Sequence, residues 1–158
     1  MSLLTVTHLS DDAFRVDVRG HTLLVDQPNR TGDEAGVTPV ELFVASLASC
    51  VGFYAERFLR RHGLPFEGLR VECDWMMRAG EPARVGRIAV RVTPPGWVPP
   101  ELRAPLAAAV DRCTVHNSLR QPPQVDVTVA PMPLAPAVSP AGSASGPGSS
   151  PPAGAVPV

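Results

Sequence analysis

The stretch Thr38-Pro39-Val40-Glu41-Leu42-Phe43-Val44-Ala45-Ser46-Leu47-Ala48-Ser49-Cys50 announces the longest element of this chain. Threonine at the N-cap, proline at the first helical position and glutamate three residues after the cap form a capping box. The helix that starts here is predicted to run to Arg61 or His62, where Gly63 and Pro65 stop it. Its first half, from Val40 through Leu47 to Phe53, is apolar on nearly every side, the mark of a helix enclosed by other structure. Arg57, Arg60 and Arg61 gather in its last turns, where positive charge suits the helix dipole.

Working outward, the residues before this helix alternate with period two: Leu4 and Val6, then Phe14, Val16 and Val18, then Leu23 and Val25. Three short antiparallel strands are expected, with turns near Ser10-Asp11-Asp12 and Arg19-Gly20. A polar loop over 28–37 leads into the helix. After it, Val71, Cys73, Trp75 and Met77 share one face of a strand, and Ile88, Val90 and Val92 one face of another. A hairpin through residues 78–84 joins them. A second helix is expected from Pro99 or Pro100, with Cys113 at its C-terminal end and Pro105 as an irregularity inside it. A final strand over 124–129 carries Val125, Val127 and Val129 on one face. The order is α+β, with antiparallel strands covering apolar helices.

The chain has 158 residues, with 14 basic residues, all arginine, against 15 acidic ones. That balance gives no surplus of positive charge for nucleic acid. No stretch reads as a continuous membrane-spanning run, and residues 1–9 lack a basic patch followed by an apolar one, so a cytoplasmic protein is expected. Residues 131–158 contain no charge, no aromatic residue and eight prolines. They read as a disordered tail behind one folded domain over 1–130.

Three cysteines, Cys50, Cys73 and Cys113, are the candidates for chemistry. In a reducing compartment each is either core filler or a reactive thiol. Cys73 lies on the inward face of its strand and reads as core. Cys50 has small neighbours, Ala45, Ser46, Ala48, Ser49 and Gly52, which let a second element or a substrate approach, although a cysteine on an apolar helix is also ordinary packing. Cys113 and His116 have the spacing of metal ligands, but two further ligands are wanting, so no metal is assigned. His116 either lowers a thiol pKa as imidazolium or caps a helix. Glu41 is explained as the capping-box partner, and nine residues place it about 180° round the helix from Cys50.

The opening stretch, followed by Cys113-Thr114-Val115-His116-Asn117-Ser118-Leu119 and Val125-Asp126-Val127-Thr128-Val129, resembles the OsmC/Ohr family over essentially residues 1–130. The resemblance implies a homodimer in which two chains intertwine and an antiparallel sheet wraps around two apolar central helices. It further implies a thiol peroxidase that reduces organic hydroperoxides, with Cys50 as peroxidatic and Cys113 as resolving cysteine, an external dithiol as reductant, and no metal or organic cofactor. Ohr-type members carry a glutamate one residue earlier than Glu41, where this chain has Val40, and pair it with an arginine near a turn that here reads Asp11-Asp12. Arg15 and Arg19 are the nearest substitutes for that arginine. Their imperfect match motivates an alternative from a different class, a binding or accessory protein that holds an apolar ligand at the dimer interface.

Overall fold

In a computed structural model the described residues are 3–28 and 33–131. The expected tail over 131–158 therefore lies, apart from Pro131, outside the described residues. The described residues up to Gln124 form one compact unit.

Strands β1 (Leu4–Ser10), β2 (Ala13–Val18) and β3 (His21–Val25) form an antiparallel meander in the order β1-β2-β3. Val6 pairs with Val16, and Val16 in turn with Leu23. The β2–β3 turn is the expected Arg19-Gly20. Both residues take positive φ, 49° and 81°, the pattern whose twist matches the flanking strands. The loop after β3 is held by the buried Asp26, whose carboxylate accepts from the backbone N–H groups of Gln27 (2.7 Å) and Ala35 (2.9 Å). A side chain at Gly36 would collide with the Leu24 carbonyl, so the chain can close against β3 only with glycine there.

Helix α1 (Pro39–Arg61) begins and ends where the sequence predicts, with His62 as C-cap. The capping box is complete: Glu41 N–H donates to Thr38 Oγ1 at 3.1 Å, and Thr38 N–H donates to Glu41 Oε2 at 2.8 Å. Of the apolar residues on α1, the single stripe Val44, Leu47, Val51, Ala55 and Leu59 is buried. Phe43 and Phe53 stay open, so one chain does not enclose this helix. With 23 residues and a mean hydropathy of 1.4 over its most apolar window, α1 is long and apolar enough to cross a bilayer by composition. The sequence reading missed this, because scattered Ser, Glu and Gly interrupt the run without lowering its average far.

Against α1 pack β4 (Arg70–Arg78) and β5 (Arg84–Thr93), a long hairpin, then α2 (Pro100–Val110) and a short α3 (Thr114–Arg120). Val71, Ile88 and Val92 from the hairpin and Val110 from α2 close around Leu47, Val51 and Cys113, which form the core. Two findings depart from the sequence reading. Cys113 does not end α2; α2 stops at Val110, with Asp111 as its C-cap, and Cys113 is the N-cap of the separate α3. The expected strand over 124–129 is absent, and Val125, Val127 and Val129 are exposed. Alternation sets which side chains share a face but does not by itself make a strand ladder.

Because Thr38 and Glu41 satisfy two otherwise orphaned backbone donors, Thr38→Ala should cost about 1 kcal/mol in urea unfolding and Thr38→Ser much less.

Candidate functional site

Cys113 is the only cysteine that is fully buried, with 0% exposure. Its position follows from local rules. Once α2 has ended, the residue that opens α3 must offer an acceptor to the first free backbone N–H groups, and the Cys113 sulfur accepts from His116 N–H at 3.4 Å. Asn117 ties the same turn down, its side-chain amide donating to the carbonyls of Cys113 (3.1 Å) and Asp111 (3.3 Å). The Cys113 side chain is thereby turned inward onto Leu47 and Val51 of α1.

Cys50 lies between those two residues on α1 and packs against the same cluster. Its thiol thereby comes close enough to that of Cys113 for each to feel the other. The two cysteines, 63 positions apart in the chain, are thus brought face to face. Burial pushes the Cys113 thiol above its ordinary range and the neighbouring Cys50 thiol adds to this, against a smaller opposing pull from the His116 and Val115 backbone N–H groups. A buried sulfur that keeps its proton is a poor first nucleophile; the half-buried Cys50 is the more accessible of the pair. Cys73 is also half-buried on β4, with its thiol raised by desolvation and by the Asp74 charge, and it has no part in this cluster.

The other expected site residues divide. His116 is near, and its ring is engaged with Asp111, with Nδ1 3.6 Å from Oδ1. Only its backbone N–H reaches Cys113. Glu41 is spent in the helix cap. Arg15 is bound to Asp17 at 2.8 Å on the face of β2 opposite Phe14 and Val16, the residues that face α1. Arg19 sits in the β2–β3 turn. Within the chain, then, neither arginine joins the thiols. Among the described residues no three His, Cys, Asp or Glu side chains converge as a metal site.

Two features escaped the sequence reading. Tyr54, one turn beyond Cys50, places its hydroxyl 3.5 Å from Thr114 Oγ1, next to Cys113; the i, i+4 spacing was the available signal. Asp111 forms a two-pronged ion pair with Arg120 (2.9 Å at both oxygens), and this bonding holds its carboxyl below the usual range. Asp111, His116 and Arg120 together border a cavity of about 540 Å³ whose walls include Leu47 and Val51, the residues that flank the thiol pair.

By sequence family and by fold alike, the chain has relatives among known proteins. Residues 31–128 match the family described as OsmC-like protein. The chain belongs to the OsmC-like family. Solved structures agree in fold. A putative osmotic stress induced and detoxification response protein from Psychrobacter arcticus is similar with a TM-score of 0.67 at 21% identity, covering 75% of this chain and 88% of that one. An organic hydroperoxide resistance protein OsmC from Legionella pneumophila gives 0.59 at 18%, covering 76% and 89%. The organic hydroperoxide resistance protein OhrB of Bacillus subtilis gives 0.56 at 17%, covering 77% and 92%. No curated protein matches the chain. Within this OsmC-like fold α1 is the core helix, which accounts for its apolar composition without a bilayer.

Because folding raises the Cys113 pKa, the unfolded chain gives up its thiol proton first as pH rises. The stability that the buried thiol contributes is fully present below the ordinary thiol pKa of about 8.5 and is lost above it. Urea unfolding of the wild type and of Cys113→Ala from pH 6.5 to 10 should show the gap between them narrowing above that value.

Proposed function

We propose that this OsmC-like protein is a thiol peroxidase that reduces organic hydroperoxides, using Cys50 to attack and Cys113 to resolve. The observation that carries this reading is the packing of the two cysteines into one cluster, Cys50 half-buried on α1 and Cys113 fully buried at the start of α3. The Cys50 thiolate attacks the terminal peroxide oxygen; the O–O bond breaks, the alkoxide takes a proton and leaves as the alcohol, and the sulfur becomes a sulfenic acid. The Cys113 sulfur then attacks the Cys50 sulfur. The S–O bond breaks, and the departing hydroxide takes the Cys113 proton and leaves as water. The two electrons have come from the thiols. An external dithiol restores them by exchange and ends as its own disulfide, a supply that suits a cytoplasmic setting.

Proton affinity orders these steps. A buried Cys113 stays protonated while the peroxide is attacked and gives up its proton when hydroxide is leaving. Cys50 packs against the apolar side chains of Leu47 and Val51, surroundings that favour an alkyl peroxide over strongly hydrated hydrogen peroxide.

The reading includes a homodimer. It is supported by the open faces of the single chain: Phe43 and Phe53 on α1, Leu4 and Val6 on β1, and an apolar hollow of about 540 Å³ between the β1–β3 sheet and the start of α1. Faces of this size are rarely left to water. A second reading, a binding protein for an apolar ligand, is favoured by Arg15 being engaged with Asp17 away from the thiols.

Dithiol-coupled turnover of cumene hydroperoxide separates the two readings. The peroxidase reading expects turnover that falls at least a hundredfold in Cys50→Ser and that stops after one cycle in Cys113→Ser. Turnover absent with every dithiol tried, together with a co-purifying apolar ligand retained by Cys50→Ser, favours the binding protein instead. For the dimer, light scattering should give twice the 16.7 kDa chain mass, and Phe53→Glu should shift the population toward the single-chain mass.

A further inference from the structure

The groove between the C-terminal half of α1 and the end of α2 carries a charge pattern that thiol chemistry does not use. Arg57 and Arg61, one turn apart on α1, and Arg112, just beyond α2, line a hollow of about 590 Å³. The neighbouring carboxylates are committed elsewhere: Glu56 to Arg60 at 3.2 Å, and Asp111 to Arg120 at 2.9 Å. Among the described residues, no ion pair engages Arg57, Arg61 or Arg112.

Arg61 in the last turn of α1 is partly explained by the helix dipole. That argument does not extend to Arg112, which comes from a different element and faces the same hollow. In a chain whose net charge is −1, three exposed guanidinium groups that no carboxylate pairs with give this groove a local positive potential. The guanidinium fork matches the paired oxygens of a carboxylate or phosphate. The rest of the lining is apolar or aromatic. Ala108 and Ala109 form the α2 side, and Phe58 stacks on the His62 ring with centroids 4.0 Å apart. The His62 Nδ1 is held by the Phe58 carbonyl at 2.8 Å, which fixes that stack as a wall.

We propose that this groove binds a small organic oxyanion, a carboxylate or phosphate head held by Arg57, Arg61 and Arg112 on an apolar body that lies along Phe58, Ala108 and Ala109. The site is separate from the thiol pair and does not depend on its activity. It differs also from the mostly apolar cavity beside Leu47, which has no cluster of free arginines.

Isothermal titration calorimetry of the full chain at low salt with octanoate, octyl phosphate and inorganic phosphate tests the proposal. At least one octyl anion should bind saturably and at least tenfold more tightly than inorganic phosphate, the tighter head group identifying the natural one. Arg57→Gln and Arg112→Gln should each weaken that binding about tenfold, the scale of losing a charged hydrogen bond. Arg60→Gln, on the same helix but paired with Glu56, should change it less than about twofold. Circular dichroism establishes that each variant is folded. The proposal is overturned if neither octyl anion binds saturably, if inorganic phosphate binds as tightly as octyl phosphate, or if the Arg57→Gln/Arg112→Gln double variant binds like the wild type.

Discussion

The Cys113 side chain joins three parts of the molecule. As N-cap it ends the turn after α2 and starts α3, and as a fully buried side chain it packs on Leu47 and Val51 of α1. A cap must lie at a helix end, and helix ends are usually wet. Here the end is pressed into the core, so the sulfur is desolvated and its proton is held tightly. The same contact sets its neighbour. Cys50 occupies α1 between Leu47 and Val51, and whatever seats Cys113 against those residues also brings the two thiols together.

The first half of this arrangement was legible in the sequence because it rests on local chemistry. The Thr38-Pro39-Glu41 capping box places the start of α1, period-two alternation gives the meander and the hairpin, and Gly63 marks where α1 ends. Cys113 was assigned to the wrong helix, since an apolar stripe running from Leu102 to Cys113 does not reveal that the backbone breaks at Asp111. The signal was the residue after it: Thr114 opens a new turn that Asn117 closes by bonding backward to Cys113 and Asp111. The strand expected over 124–129 rested on alternation alone, which fixes a shared face and says nothing of a ladder. Arg15 likewise illustrates the reach of pattern reading. Its place on the polar face of β2 was correct, and Asp17 on that same face satisfies it there, away from α1.

Charge in this chain is arranged rather than accumulated. Fourteen arginines against fifteen acids leave little net charge, yet Asp111 with Arg120 and His116 forms one polar border, while the groove at the far end of α1 holds arginines alone. Tyr54 stands between these regions. It lines the arginine groove and touches Thr114 beside Cys113, so α1 connects both ends through residues a single turn apart. The apolar stripe that the chain buries on α1 accounts for the core, while Phe43 and Phe53 on the same helix are left open.

Peptide mapping by mass spectrometry after one equivalent of cumene hydroperoxide tests most directly whether the facing thiols act as a pair. The account predicts stoichiometric loss of both thiols and a single disulfide joining Cys50 to Cys113, with Cys73 still free. Both thiols remaining titratable, or Cys50 oxidised with Cys113 untouched, would contradict it.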